Sequence, residues 1–220
     1  MAETGEPTFE STDVLRMFPS FVWKANLAPG IGRPLNETIS RRLVELGAPL
    51  EGLAHGASWQ SGHGLHEEVG FSGLVAYLEM AAQRVLDYLE VHHEGFRITG
   101  CWANVNAPGA GHSAHTHPNN YLSGVYYVQT AHGADTINFH DPRPQSGIIR
   151  PPVRALTAEN TDQVVVSVTD GMVLLFPAWL EHSVDPNRSG TTRISLGFNI
   201  MFGAYAEAMG RPMWQPGRRR

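Results

Sequence analysis

Residues 111–128 read GHSAHTHPNNYLSGVYYV, and the two halves of this stretch carry different information. The second half is a short run rich in valine and tyrosine that follows a proline and two asparagines, a pattern typical of a β-strand entered from a turn. The first half places His112, His115 and His117 within six positions. Such a group indicates a metal site, a pH-sensitive loop or a chance feature of the surface, and the rest of the chain must separate these alternatives.

The β-rich pattern of this stretch recurs from Phe96 to the end of the chain. Seven short runs are bounded by glycine, proline, asparagine or aspartate, and no helical pattern lies between them. The runs are FRITGCWANV (96–105), YLSGVYYVQT (121–130), DTINFH (135–140), DQVVVSV (162–168), GMVLLFP (171–177), EHSVD (181–185) and TTRISLGFNIMF (191–202). Seven short strands in succession predict a β-sandwich or barrel.

Two amphipathic helices are predicted before this β region. NETISRRLVELG (36–47) has Asn36 as a candidate N-cap, and FSGLVAYLEMAAQRVLDYLEVHH (71–93) has Ser72 in that role with apolar residues at helical spacing. No repeat or long linker separates helices from strands. We therefore predict one domain over residues 1–220, with a helical buttress at about 34–93 and a β core at about 96–203.

Composition excludes several classes of protein. The 220 residues carry a net charge of −5 with both signs mixed, so no basic face is expected for nucleic acid. Cys101 is the only cysteine, which excludes an intramolecular disulfide and leaves nitrogen and oxygen as ligands for any metal. No signal-peptide pattern or long apolar run is present, and the sequence therefore predicts a cytoplasmic protein without a membrane partner.

The histidines of the opening stretch can be combined with a distant one. Side chains at i and i+2 of an extended strand share a face, so His115 and His117 are expected to project together. His182, in LLFPAWLEHSVDP (174–186), is a candidate third ligand from the far side of the β region. Imidazole suits iron, zinc, copper and nickel, and ligand type alone does not name the metal. Histidines outside these positions, such as His63 and His140, are expected to be ordinary surface or core residues.

The segment after His182 adds a basic residue to the candidate site. A turn, DPNRSG, leads into TTRISLGFN, which we interpret as a hairpin whose return strand carries Arg193 and Ser195 on one face. The strand is apolar enough to be half buried, and a buried arginine needs an anionic partner. Because a guanidinium binds a carboxylate through two parallel hydrogen bonds, the site is expected to take a carboxylate-bearing molecule.

The order of motifs along the chain resembles that of a known family. CWANVN, AHTHP, LSGVYYV, INFHDPRP, LLFPAWLEHSVDPN and RISLGFN resemble the 2-oxoglutarate and iron(II)-dependent oxygenases, in the branch near the prolyl 4-hydroxylases. MFPSFVWKANL and SWQSGHGLH, nearer the start, look similar to the same branch. The resemblance implies a mainly β fold with flanking α-helices, namely a double-stranded β-helix of the jelly-roll, cupin-like type. It also implies an iron(II) cofactor and 2-oxoglutarate as cosubstrate.

The resemblance assigns a role to individual residues. His115 takes the first ligand position, His182 the distal one, and Arg193 the anchor of the far carboxylate of 2-oxoglutarate. Tyr127 falls where the family often has a tyrosine that reaches the cosubstrate, and Ser195 matches an Arg-x-Ser pattern of the wider superfamily. Among the residues before the histidines, Trp102, Asn104 and Asn106 alternate on one predicted strand and are candidates for the pocket wall, with Asn104 predicted to contact the cosubstrate.

One position departs from the family pattern. The family has a carboxylate two residues after the first histidine, where this chain has His117. His117 could replace the carboxylate as third ligand, or the position could lack a protein ligand. A frame shifted to His117 and Asn119 offers only a neutral amide, and Asp141 in FHDPRP is more typical of a turn. We predict a site of His115, His117 and His182.

The predicted function is therefore an oxygenase that oxidises a small-molecule substrate with dioxygen and releases succinate and carbon dioxide, as the resemblance implies. A homodimer is considered as an assembly. Two alternatives from other classes remain at this stage. One is a cupin-like three-histidine lyase or isomerase that does not use 2-oxoglutarate, and the other is a non-catalytic sensor of small acids.

Overall fold

The computed structural model describes residues 10–144 and 151–205. Within these ranges the chain forms ten β-strands and two α-helices. The helices are α1 (Pro29–Glu45) and α2 (Ser72–Tyr88), and two short 3-10 turns, Leu65–Glu67 and Val69–Phe71, precede α2. The strands are β1 (Trp23–Asn26), β2 (Ser58–Gln60), β3 (Phe96–Asn106), β4 (His112–His115), β5 (Leu122–Gln129), β6 (Thr136–His140), β7 (Gln163–Ser167), β8 (Met172–Pro177), β9 (His182–Val184) and β10 (Arg193–Phe202).

The strands form two antiparallel sheets. The larger has the order β1-β8-β5-β10-β3-β2 and the smaller the order β4-β9-β6-β7. From β3 onward the chain passes repeatedly from one sheet to the other, with β3, β5, β8 and β10 in the larger sheet and the intervening strands in the smaller. This alternation between two facing sheets is that of a jelly roll, and the predicted fold class is confirmed.

The helices cover one face of the larger sheet. Along β10, Ile194, Leu196 and Phe198 are buried in the same apolar cluster as residues of both helices. The alternate residues, Arg193 and Ser195, are also buried but point to the opposite face, toward the smaller sheet. Both faces of this strand are therefore enclosed, and the polar residues lie in the interior of the jelly roll.

A second apolar cluster fills part of the space between the sheets. It joins side chains of β5, β6 and β8 to the turn after β8, including Tyr127, Phe139, Phe176 and Leu180. The aromatic rings of Phe139 and Phe176 lie 4.9 Å apart in an edge-to-face arrangement. Tyr127 of this cluster contacts Arg193, so the apolar cluster borders the polar residues of β10.

The helix starts differ from the predictions. Asn36 does not cap α1, which begins at Pro29 and continues through Pro34. Instead, the amide of Asn36 donates to the Val128 carbonyl (2.9 Å) and accepts from the Tyr126 hydroxyl (2.6 Å), so it links the helix to β5. Proline at the first helical position is favourable because its missing N–H would have no helical partner.

Ser72 is likewise the first residue of α2 and not its cap. Its hydroxyl donates to the Val69 carbonyl at 2.8 Å, in the preceding 3-10 turn. The interpretation of the segment around His182 and Arg193 as a hairpin is also wrong. β9 pairs with β4 and β6, whereas β10 pairs with β3 and β5, because the turn between them crosses from one sheet to the other.

In the part of the chain that the structure describes, neither helix is long and apolar enough to cross a bilayer.

Candidate metal and cosubstrate site

Three histidines meet between the sheets at one end of β4 and β9. His115 is the last residue of β4 and lies directly opposite His182, the first residue of β9. His117 follows two positions after β4, where its N–H donates to the Ala178 carbonyl at 2.9 Å. The potential ligand atoms of the three side chains all lie within 4.8 Å of one another. The structure thus brings together the predicted set, although His117 lies in the irregular segment that follows β4 and not on the strand.

Two of the three rings are oriented by backbone carbonyls. Nδ1 of His115 lies 2.8 Å from the Ser113 oxygen, and Nδ1 of His182 lies 3.0 Å from the Leu180 oxygen. A carbonyl only accepts hydrogen bonds, so each Nδ1 carries a proton, and in the neutral ring Nε2 is the nitrogen available to a metal. Hydrogen bonds of this kind fix the tautomer and the ring orientation in metal sites.

Burial favours the neutral form of His117 and His182. Burial lowers the pKa of His117 to about 4, with smaller contributions from His115 and His63. Burial lowers the pKa of His182 to about 4 as well, against the opposing effect of its hydrogen bond to Leu180. A metal ligand must be deprotonated, and both rings meet this condition at neutral pH. The donor set fits iron(II), since imidazole is a common iron ligand.

The alternative ligands lie elsewhere. Asn119 occupies a turn and has a left-handed backbone with φ of 66°. Asp141 forms an ion pair with Arg143, with Oδ2 2.8 Å from the guanidinium nitrogen. Among the described residues, the one group of three or more His, Cys, Asp or Glu side chains suited to a metal does not contain Asp141.

Arg193 lies in the interior of the jelly roll, on the first residue of β10. Its exposed fraction is only 2%, and its guanidinium carbon lies 5.3 Å above the ring of Tyr127. Nε of Arg193 and the hydroxyl of Tyr127 are buried and have no hydrogen-bond partner among the described residues. Burial raises the pKa of Tyr127 to about 12, and the arginine charge offsets part of that shift. A buried cation beside a protonated phenol is suited to an anionic ligand.

The other predicted cosubstrate contacts share this interior face. Ser195 is opposite Asn104 of β3 on one side and Tyr127 of β5 on the other. Ser195 and Asn104 are buried, at 4% and 7% exposure. The four residues predicted to contact the cosubstrate are therefore neighbours on three adjacent strands of the larger sheet.

A wall of aromatic rings flanks the histidines, and one of its members was not predicted. Trp102 lies 5.7 Å from His117 and stacks on His63 with ring centres 4.7 Å apart. The backbone carbonyl of His63 accepts from the Cys101 N–H at 2.8 Å, which fixes the loop after β2 against β3. The His63 contact joins residues 39 positions apart, and no local pattern in the sequence could have indicated it.

Residues 100–199, from β3 to β10, match the family model described as "Putative 2OG-Fe(II) oxygenase". Over this segment the chain is similar to the 2OG-Fe(II) oxygenase family. It is an iron(II)- and 2-oxoglutarate-dependent oxygenase, and the cupin-like lyase and the acid sensor are not supported. The match covers all three histidines of the cluster and Arg193.

Solved structures show the same fold at low sequence identity. A prolyl-4-hydroxylase from Pseudomonas putida superposes with a TM-score of 0.58 at 16% identity, over 83% of this chain and 93% of that one. The carbocyclase SnoK from nogalamycin biosynthesis gives 0.60 at 13% identity, over 83% and 80%. HygX from Streptomyces hygroscopicus, solved with nickel and 2-oxoglutarate, gives 0.57 at 14% identity, over 84% and 83%. No functionally curated protein matches the sequence of this oxygenase significantly.

Proposed function

We propose that His115, His117 and His182 are the iron ligands of this oxygenase and that Arg193 anchors the far carboxylate of 2-oxoglutarate. The observation that carries the proposal is the convergence of three potential ligand atoms within 4.8 Å, two of them oriented by backbone carbonyls. The buried, unpaired Nε of Arg193 supports the second part, because a buried cation is expected to have an anionic partner.

Tyr127, Ser195 and Asn104 complete the proposed cosubstrate pocket. The Tyr127 hydroxyl is protonated at neutral pH, since burial raises its pKa to about 12, and it can donate to a carboxylate. Ser195 and Asn104 offer a hydroxyl and an amide from neighbouring strands. Together with the guanidinium they would orient the 2-oxo acid so that its other end faces the histidines.

The bound metal would supply the activation of dioxygen, coupled to conversion of 2-oxoglutarate to succinate and carbon dioxide. The chain contributes orientation and the exclusion of water. Phe176 lies 4.7 Å from His182, Phe139 lies 6.2 Å from it, and Trp102 covers the side of His117. These apolar rings limit access of water to the reacting groups.

We further propose that the prime substrate is a small molecule, that hydroxylation is the reaction, and that the protein acts in the cytoplasm as one domain over residues 1–220. The cluster is half-buried at His115 and His117, which leaves an approach for a substrate from the side of His117. Screening metabolites for stimulated succinate formation would identify the substrate. Light scattering would distinguish a monomer from the homodimer that we also consider.

The ligand assignment can be tested without a known substrate. Addition of iron(II) and 2-oxoglutarate under anaerobic conditions should give one iron per chain and the visible absorption band of a chelated 2-oxo acid. His182→Ala should abolish both, because a lost ligand in a three-ligand site has no replacement on the rigid strand β9. His140→Ala is the matched control, since that histidine bonds to Ser183 and lies outside the cluster. Unchanged iron content in His182→Ala would remove His182 from the site.

A further inference from the structure

Asn106, the last residue of β3, lies beside the arginine anchor. It is directly opposite Arg193 across the β3–β10 pairing, and its exposed fraction is 1%. Its Oδ1 is buried without a hydrogen-bond partner among the described residues, as is Nε of Arg193. Buried polar atoms without partners are rare, and the Nε of Arg193 is a donor that an anionic ligand would satisfy.

His112 reaches Asn106 from the smaller sheet. His112 and His115 are three positions apart, which would place them on opposite faces of a regular strand. The pairing of β4 with β9 shifts between them, so that His112 is opposite Val184 and His115 is opposite His182. This irregularity places both histidines on the interior face. Nε2 of His112 then lies 3.1 Å from Nδ2 of Asn106, and the contact connects the two sheets.

The groups around Arg193 leave its charge uncompensated. Burial lowers the pKa of His112 to about 4, with Arg193 as the next cause, so the imidazole is neutral and close enough to sense the arginine charge. Asn106 and Tyr127 are neutral as well. Within residues 10–144 and 151–205, the ion pairs of the protein do not include Arg193. An anion fits this surrounding best, because it would pair with the buried cation, whose Nε is a donor without a partner among the described residues.

We propose that Asn106 is a second contact of the far carboxylate of 2-oxoglutarate and that His112 is the positioning residue that holds the Asn106 amide toward it. This inference rests on the proposed function, since it places the carboxylate beside Arg193. An amide oxygen facing a carboxylate would be repelled. Nδ2 of Asn106 faces His112 in the structure, so binding of the ligand requires the amide to turn over by about 180°. Nδ2 then donates to the carboxylate, and Oδ1 accepts a hydrogen bond from Nε2–H of His112.

Two 2-oxo acids can isolate this contact. 2-Oxopentanoate has the same chain length as 2-oxoglutarate but a methyl group in place of the far carboxylate, and both can chelate iron(II) through the 2-oxo acid end. Their affinities are measured anaerobically from the chelate absorption band of the iron-loaded protein. Asn106→Leu keeps the side-chain size and removes the amide. It should weaken the binding of 2-oxoglutarate about ten- to a hundredfold, as expected for the loss of a hydrogen bond to a charged group. The affinity for 2-oxopentanoate should be unchanged.

His112 is tested through the same pair of ligands. His112→Leu should weaken the binding of 2-oxoglutarate by about two- to tenfold, the range for a neutral hydrogen bond. The affinity for 2-oxopentanoate should again be unchanged. His112→Gln should restore most of the loss, because a glutamine amide can hold Asn106 as the imidazole does. His140→Leu, which removes an imidazole from the Ser183 contact, should change neither affinity.

Several results would overturn the inference. If Asn106→Leu bound both acids equally more weakly than the parent, Asn106 would be a structural residue. If its affinity for 2-oxoglutarate were unchanged, Asn106 would not contact the cosubstrate. If His112→Gln behaved like His112→Leu, the positioning role would be refuted. Should Asn106→Leu not fold, Asn106→Ala must show the same selective loss. Failure of the proposed function would look different, because the parent protein would then show no chelate band or would bind both acids equally.

Discussion

Without cosubstrate, the Arg193→Met variant should have a higher free energy of unfolding than the parent. With cosubstrate bound, it should have a lower one. The guanidinium is 2% exposed and its Nε has no partner, so the unliganded protein carries an uncompensated buried charge. Replacing buried charges by apolar side chains of similar size often stabilises by about 1–4 kcal/mol. The lost contact with the buried Tyr127 ring, at 5.3 Å, costs up to about 2 kcal/mol. The net gain is on the order of 1 kcal/mol, or about 2–4 °C in melting temperature.

Cosubstrate reverses the order of stability. At a concentration one hundred times the parent dissociation constant, binding stabilises the parent by about 2.7 kcal/mol. Loss of the two-point carboxylate contact weakens binding by about 1.5–3 kcal/mol, roughly ten- to a hundredfold. At the same concentration the variant then gains only about 0.4–1.4 kcal/mol from binding. Its advantage of about 1 kcal/mol without ligand does not make up the difference.

Urea unfolding of the zinc-loaded protein measures both effects, because zinc holds the 2-oxo acid without turnover. Parent and Arg193→Met are compared with and without 2-oxoglutarate. Arg143→Met is the control, since Arg143 is exposed and paired with Asp141, and it should leave the stabilisation by cosubstrate unchanged. Equal stabilisation of parent and Arg193→Met by cosubstrate would refute the anchor. A variant less stable than the parent without ligand would refute the argument from buried charge.

Three further outcomes are expected. His117→Asp should still bind iron, because a carboxylate replaces one neutral ligand by an anionic one. His117→Ala should weaken iron binding. Equal iron affinity in the parent and His117→Ala would leave only two protein ligands. The metal-free protein should lose stability as the pH falls from about 6.5 to about 4, because the low pKa values of His117 and His182, about 4 each, let the unfolded chain bind protons that the folded chain does not. A flat pH profile of the urea midpoint in that window would contradict this. Gly124→Ala should lower the free energy of unfolding by about 1–3 kcal/mol, because a Cβ there would lie 2.6 Å from the Leu174 carbonyl oxygen of the neighbouring strand. A urea midpoint equal to that of the parent would show that the sheet can adjust.

The pattern of local residues determined the elements of the fold. All seven predicted runs are strands, since alternating apolar residues and bounding turn residues act over a few neighbours. The strands that were not predicted, β1 and β2, have only four and three residues, and β4, which has four, was expected only as an extended segment around His115 and His117. A pattern of period two is hard to distinguish from chance over so short a length. Helix starts were missed for a similar reason, because Asn36 bonds to a strand about ninety positions away and not to its own helix.

Chemistry at single positions could also be proposed from the sequence. The spacing of His115, His117, His182 and Arg193 indicated a site because few residue types bind metals or carboxylates. The sequence could not show how these residues meet. The sequence predicted that His115 and His117 share one face of a single continuous strand. In the structure the strand ends at His115, and His117 is held by the hydrogen bond from its N–H to the Ala178 carbonyl.

Only the tertiary structure decided which strands are neighbours, and with them the composition of the site. The pairing of β4 with β9 sets His115 opposite His182, and its irregularity turns His112 inward as well. The crossing between β9 and β10 places His182 and Arg193 on different sheets, whereas the interpretation as a hairpin had placed them on neighbouring strands. Partner choice among strands depends on how two whole sheets pack, which is a property of the complete set of side chains and is not encoded in any one segment.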